Sequence, residues 1–312
     1  MMFRLSVSAL SLMVLLPLSS APLYAQDATE FRLDRNMTVG LRGGVMTGTA
    51  HEFVYDTDGT KLSELVWDMQ QNYTISADLN YRAGPRWSVA ASGTLGINGN
   101  NYMNDWDWIG RPATAAWTHH SWHDDTGLDH YFALDANVAY DFAASDALDL
   151  KVLGGAKYTD LQWTARGGCY IYSWTSFRGD RGCFKDGEKG ITYEQSLPAV
   201  YGGFGAGTSV GALSISGQIV GGLTVGANDL DHHWLRSLVF LDEIGVAPYL
   251  GAQAQVAYQF TDRIGMNVVA QFDKHFEGRG PTKLNGAFIT PGDASGASLQ
   301  TLNVSTGFTY KF

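Results

Sequence analysis

The strongest constraint on this chain is a period-two alternation of apolar and polar residues that recurs along most of its length. From Phe132, one face reads Phe132, Leu134, Ala136, Val138, Tyr140 and Phe142, while Asp135, Asn137 and Asp141 fall on the other. Successive side chains of a β-strand point to opposite faces, so this run predicts a strand with one oily and one wet side. Trp87 to Ile97, set against Ser88, Ser92, Thr94 and Asn98, repeats the pattern, as does Ile264 to Phe272 with Asn267, Gln271 and Asp273. Leu302, Val304, Thr306, Phe308, Tyr310 and Phe312 alternate with Asn303, Ser305, Gly307, Thr309 and Lys311 at the end.

Strands that are oily outside and wet inside suit a sheet closed on itself in a bilayer, where no edge is left unpaired. Ending on Tyr310-Lys311-Phe312 is similar to the terminal strand of bacterial outer-membrane barrels. The 37 glycines and 12% aromatic residues fit short turns and interfacial girdles better than a secreted globule. Gly, Pro, Asn and Asp clusters predict short turns near Arg82 to Arg86, Ala144 to Ala147, Gly205 to Gly211 and Thr261 to Arg263. Long polar connections are expected at Asp56 to Thr60, Asp105 to Asp129, Gly167 to Lys189, Asp229 to Glu243 and Glu277 to Ser298. Alternating these turns gives an all-β, ten-stranded antiparallel transmembrane barrel with both termini on the short-turn side. Runs of roughly 15 to 20 residues exceed the ~9 to 11 that cross the hydrocarbon, so the rim should rise roughly 15 to 25 Å above the membrane.

Residues 1–25 hold one charge, Arg4, and an apolar core from Leu10 to Leu18, which reads as a signal peptide cleaved near Ala25 and Gln26. Residues 26–312 are then expected to form one barrel domain. The mature chain carries 20 basic and 31 acidic residues, which argues against nucleic acid and favours basic peptides as partners. Two cysteines, Cys169 and Cys183, close a 15-residue segment. In an oxidising compartment their disulfide would contribute about 3 kcal/mol, the alternative being two free thiols in a loop.

Two clusters could carry chemistry. Asp231 and His233 are two residues apart, so an extended backbone puts carboxylate and imidazole on one face, where the acid can orient the ring as a base. Asp105 and Asp107 have the same spacing, and two crowded carboxylates are suited to share a proton or hold a water. His119, His120 and His123 with Asp124 and Asp125 could instead ligate a transition metal.

The chain resembles the omptins, outer-membrane aspartic-type endoproteases of Gram-negative bacteria, from about Met37 to Phe312. The resemblance rests on His51 to Tyr55, Lys61 to Trp67, Asp105 to Trp108, Thr164 to Ser173, Asp229 to His233 and the terminal strand. It implies peptide hydrolysis by an activated water, without metal or other cofactor, at a site facing the cell exterior. His233 would be the base, Asp231 its orienting partner, and Asp105 with Asp107 the opposite wall. Glu52 and Asp229 would bind the arginine or lysine side chain preceding the scissile bond, the P1 residue. Paired carboxylates can do so through charge-assisted bonds.

The family also binds lipopolysaccharide through outward basic residues, and the corresponding positions here are Asp160 and Ser196. Lipopolysaccharide dependence is therefore open, with Arg166 or Lys157 as other possible contacts. The expected protein is a monomer acting on basic peptides or proteins. The rivals are an omptin-like adhesin that keeps the fold without efficient catalysis, and a transport pore.

Overall fold

The structure, a computed structural model, describes residues 36–111, 115–144 and 148–312. The expected signal segment and its cleavage point lie outside these residues. Fourteen strand segments and one 3-10 turn are present among the described residues. They are β1 (Met37–Tyr55), β2 (Lys61–Arg82), β3 (Trp87–Asp107), β4 (His119–Ala144), β5 (Asp149–Arg166), β6 (Cys169–Tyr172) and β7 (Asp180–Cys183), followed by β8 (Lys189–Val210) and β9 (Leu213–Thr224). Then come β10 (Ala227–His233), the 3-10 turn Trp234–Arg236, β11 (Leu238–Ile244), β12 (Ala247–Gln259), β13 (Ile264–Leu284) and β14 (Ala287–Lys311).

These segments make ten staves. β9 and β10 pair successive stretches of β8, and β11 and β12 pair successive stretches of β13, so each couple acts as one interrupted strand. The first interruption lies beside Pro198, which has no N–H to give, and Val225 instead donates its own N–H to the Pro198 carbonyl at 2.9 Å. All neighbours are antiparallel, and β14 pairs β1 from Thr38 opposite Lys311 to Val54 opposite Ser295, which closes the ring. The β6–β7 hairpin hangs from β4 outside the ring, with Cys169 and Cys183 opposite each other and disulfide-bonded.

The alternation places the oily faces outward as a belt that includes Leu41, Leu79, Leu95, Leu134, Phe204 and Phe308, all exposed. Within the belt the lumen is polar. Arg42 pairs with Asp78 and Ser305, Lys157 with Asp273, and Tyr201 with Asp135. Above the belt the interior changes character: Trp67, Trp163 and Tyr193, fully buried, stack at 5.5 to 6.3 Å between ring centroids. Met46, Met69, Met103, Leu161 and Leu299 pack around them. Burying rings and thioethers inside a barrel gives its upper half a core like that of a soluble protein.

Several expected long connections are instead strand. β3 runs through Asp107 and β4 begins at His119, while Asp229 to Glu243 forms β10, the 3-10 turn and most of β11. Glu277 to Ser298 continues β13 and β14 around a two-residue turn, Asn285 and Gly286, both at positive φ (47° and 88°), the combination a tight hairpin turn requires. Above the bilayer polar residues face water on the outside and line the buried acidic site on the inside, so there polarity does not distinguish loop from strand. The turn expected within Gly205 to Gly211 falls at its far end, where β8 continues to Val210 and Gly211 takes φ 62°.

Candidate active site

Strand register builds the site. Glu52, Leu65, Asp105 and Ser121 are opposite one another across β1 to β4 and share the inward face. One inward step higher, Val54, Ser63, Asp107 and His119 form a parallel row. Across the ring, β10 directs Asp229, Asp231 and His233 inward, with Asp231 opposite Tyr193 on β8 and Phe240 on β11. The two walls face a cavity of 680 Å³ lined by Asp105, Asp107, Asp231, His233, Glu52 and Asp242 among others. Its size is that of a small-ligand or side-chain binding site.

Asp231 Oδ2 and His233 Nε2 are in contact, and Arg236 Nη2 donates to Nδ1 of the same ring. An arginine can only donate, so Nδ1 is the accepting nitrogen and Nε2 carries the proton given to Asp231. His233 is thus in the tautomer whose free lone pair sits on Nδ1, and Arg236 covers it. On the facing wall, Ser63 Oγ donates to Asp105 Oδ1 at 3.3 Å. Burial, then the charge of Asp107, pushes the Asp105 carboxyl well above the usual carboxylate range, and burial also raises Asp107. Two crowded carboxyls pushed upward in this way are suited to share a proton.

The structure brings together Asp105, Asp107, Asp231, His233 and Glu52 on one cavity. Asp229 stands behind them. It is buried, Tyr193 donates to its Oδ2 at 3.2 Å, and Asp242 lies directly opposite it on β11, on the cavity wall. Burial raises Glu52 and Asp229 well above the ordinary range, helped by the charges of their neighbours. Asp242 was not among the residues singled out in the sequence. Its cue was register: a strand returning from His233 puts Asp242 across from Asp229 once the turn length is known.

His119, His120 and His123 do not converge on one point. His120 stacks on Trp106 at 3.5 Å, outside the cavity row, whereas His119 bonds Thr118 at 2.9 Å and His123 lies against Ser121 at 3.2 Å. On the outer wall, Asp160 accepts from His130 at 2.7 Å and from Tyr158 and Ser196. Lys157 points into the lumen and pairs with Asp273 at 2.6 Å, which removes it as a lipid contact.

Against known proteins, the family model described as "Omptin family" matches residues 33–312. The chain belongs to the omptin family. This omptin is 27% identical over 284 residues to the plasminogen activator of Yersinia pestis, covering 89% of this chain and 90% of that protein. It is 26% identical over 295 residues to the outer membrane protease OmpP of Escherichia coli strain K12, with coverage of 92% and 93%. Its fold superposes on the crystal structure of outer membrane protease OmpT from Escherichia coli with a TM-score of 0.82 at 24% identity, covering 89% and 97% of the two chains. This omptin is an outer-membrane β-barrel related to proteases.

Proposed function

We propose that this omptin is an endopeptidase that cleaves peptides and proteins after or between basic residues, using a water activated by His233 at the outer rim of the barrel. The observation that carries this is the Asp231–His233 pair facing Asp105 and Asp107 across a cavity with buried acids on its wall. Movement of Arg236 off Nδ1 opens a place for water between His233 and Asp105. His233 takes a proton from that water as its oxygen bonds to the scissile carbonyl carbon, and Asp231 stabilises the resulting imidazolium. The carbonyl oxygen becomes an oxyanion, which accepts a hydrogen bond from the proton shared by Asp105 and Asp107. As the C–N bond breaks, the imidazolium returns its proton to the leaving amine, which restores the ring.

Substrate choice follows from the same acids. Glu52, with Asp229 behind it, gives the pocket an acidic floor whose buried carboxyls ionise against an entering arginine or lysine, and the acidic mature chain steers cationic peptides to the rim. β1, β3 and β10 of one chain supply these residues, which supports a monomer as the working unit. Purified protein should cleave a peptide containing Arg-Arg, and His233→Ala or Asp105→Ala should abolish cleavage while the heat-modifiable barrel persists. Full activity in either variant would falsify the assignment. Assay of the purified protein with and without lipopolysaccharide decides whether lipid is needed despite Asp160 and Ser196.

A further inference from the structure

Four carboxylates, Glu52, Asp229, Asp231 and Asp242, are at most 3% exposed, and each keeps one oxygen without a hydrogen-bond partner: Glu52 Oε2, Asp229 Oδ1, Asp231 Oδ1 and Asp242 Oδ1. A buried carboxylate oxygen left unbonded is costly, so four in one cluster mark a place built for a cationic donor. Tyr193 bonds Asp229, Thr282 and Ser295 bond Asp242, and His233 contacts Asp231, while Glu52 meets Asp231 and Asp229 meets Asp242 acid to acid; among the described residues no cation pairs with Glu52, Asp229 or Asp242. Of the two cross-strand acids, Asp242 reaches the cavity wall and Asp229 lies behind it.

We propose that Asp242 is a specificity-determining residue that, with Glu52, takes the guanidinium of a P1 arginine, while Asp229 positions Asp242 from behind. This rests on the pocket proposed above and changes which acid touches the substrate. Glu52 on β1 and Asp242 on β11 approach the cavity from different staves. A planar guanidinium has five donors in a rigid fork and can bond two separate carboxylates at once. A lysine ammonium is a compact point charge with three donors and satisfies fewer of the free oxygens. The pocket therefore prefers arginine to lysine, and Asp242 sets that preference.

The test is steady-state cleavage of three peptides that differ only at P1, arginine, lysine or the neutral isostere citrulline, by wild type, Asp242→Asn and Asp229→Asn. Loss of one charge-assisted bond lowers kcat/KM for the arginine peptide about 10- to 100-fold. The loss falls mainly in KM, the lysine peptide suffers less, and the citrulline peptide is unchanged. Asp229→Asn produces a smaller loss with the arginine preference retained. An unchanged arginine-to-lysine ratio in Asp242→Asn overturns the proposal, as does an equal loss on all three peptides, which would make Asp242 merely structural. If Asp242→Asn does not insert, Asp242→Glu, which keeps the charge on a longer arm, must shift the ratio, and an unshifted ratio again overturns it. Wild type that cleaves citrulline and arginine peptides equally well would instead overturn the basic pocket as a whole.

Discussion

Asp231 and His233 sit two residues apart on β10, and the Oδ2 of one contacts the Nε2 of the other. That contact fixes which ring nitrogen can act as base. Asp231→Asn should reverse the ring's tautomer and lower kcat by roughly 10⁴-fold, with KM within a few-fold of wild type. Burst-free steady-state kinetics on the Arg-Arg peptide checks this, and a change confined to KM would contradict it.

Arg236 lines the cavity, and its charge pulls the Asp105 and Asp107 carboxyls down against the upward effect of burial. Removing it in Arg236→Ala should raise both. The acid limb of the pH profile of kcat/KM should therefore move to higher pH. A profile that overlays wild type would show that Arg236 does not act on these carboxyls.

The raised carboxyls of Glu52 and Asp229 also set how stability varies with pH. Below about pH 4 the folded and unfolded states both hold these protons. As pH rises further, the unfolded carboxylates ionise while the buried ones keep their protons, so the folded state binds more protons and loses stability through that window. Glu52→Gln or Asp229→Asn should flatten this fall and raise stability near neutral pH. Urea unfolding in bilayers at several pH values measures it, and a steeper slope in either variant would refute it.

Trp163 is fully buried between Trp67 and Tyr193 in the lumen beneath the site. Trp163→Ala should cost about 3–5 kcal/mol by leaving a cavity that the rigid staves cannot collapse into. The same urea titration gives the number. A cost below about 1 kcal/mol would mean that the aromatic stack is not a core.

The disulfide holds a hairpin that pairs with β4 and lies outside the ring, yet Tyr172 at its turn end and Phe184 at its base line the cavity. Reduction should leave barrel melting unchanged and raise KM several-fold. Loss of the folded barrel on reduction would show that the hairpin supports the ring itself.

Much of this was legible in the residues, and what was not has a physical cause. Alternation such as Phe132 to Phe142 exposes lipid on one side only, so facing followed from it, and the strand number followed from the turn clusters between such runs. The Asp-x-His and Asp-x-Asp spacings placed each pair on one face because both lie in strands. The upper barrel was harder to read. There both sides are polar or both are packed, so Asp229 to Glu243 read as loop although it is mostly strand. Trp67, Trp163 and Met103 face inward to a core that alternation alone would assign to water. Asp242 escaped notice because its partner across the sheet depends on a turn length that only the fold supplies.

The ring closes where β14 meets β1, the last strand of the barrel against its first, and Glu52 on β1 lies opposite Ala297 on β14. Until β14 arrives, β1 is an open edge and the pocket lacks a wall. The cavity therefore comes into being only as the ring shuts, and a chain caught before closure has neither a paired β1 edge nor a complete pocket wall.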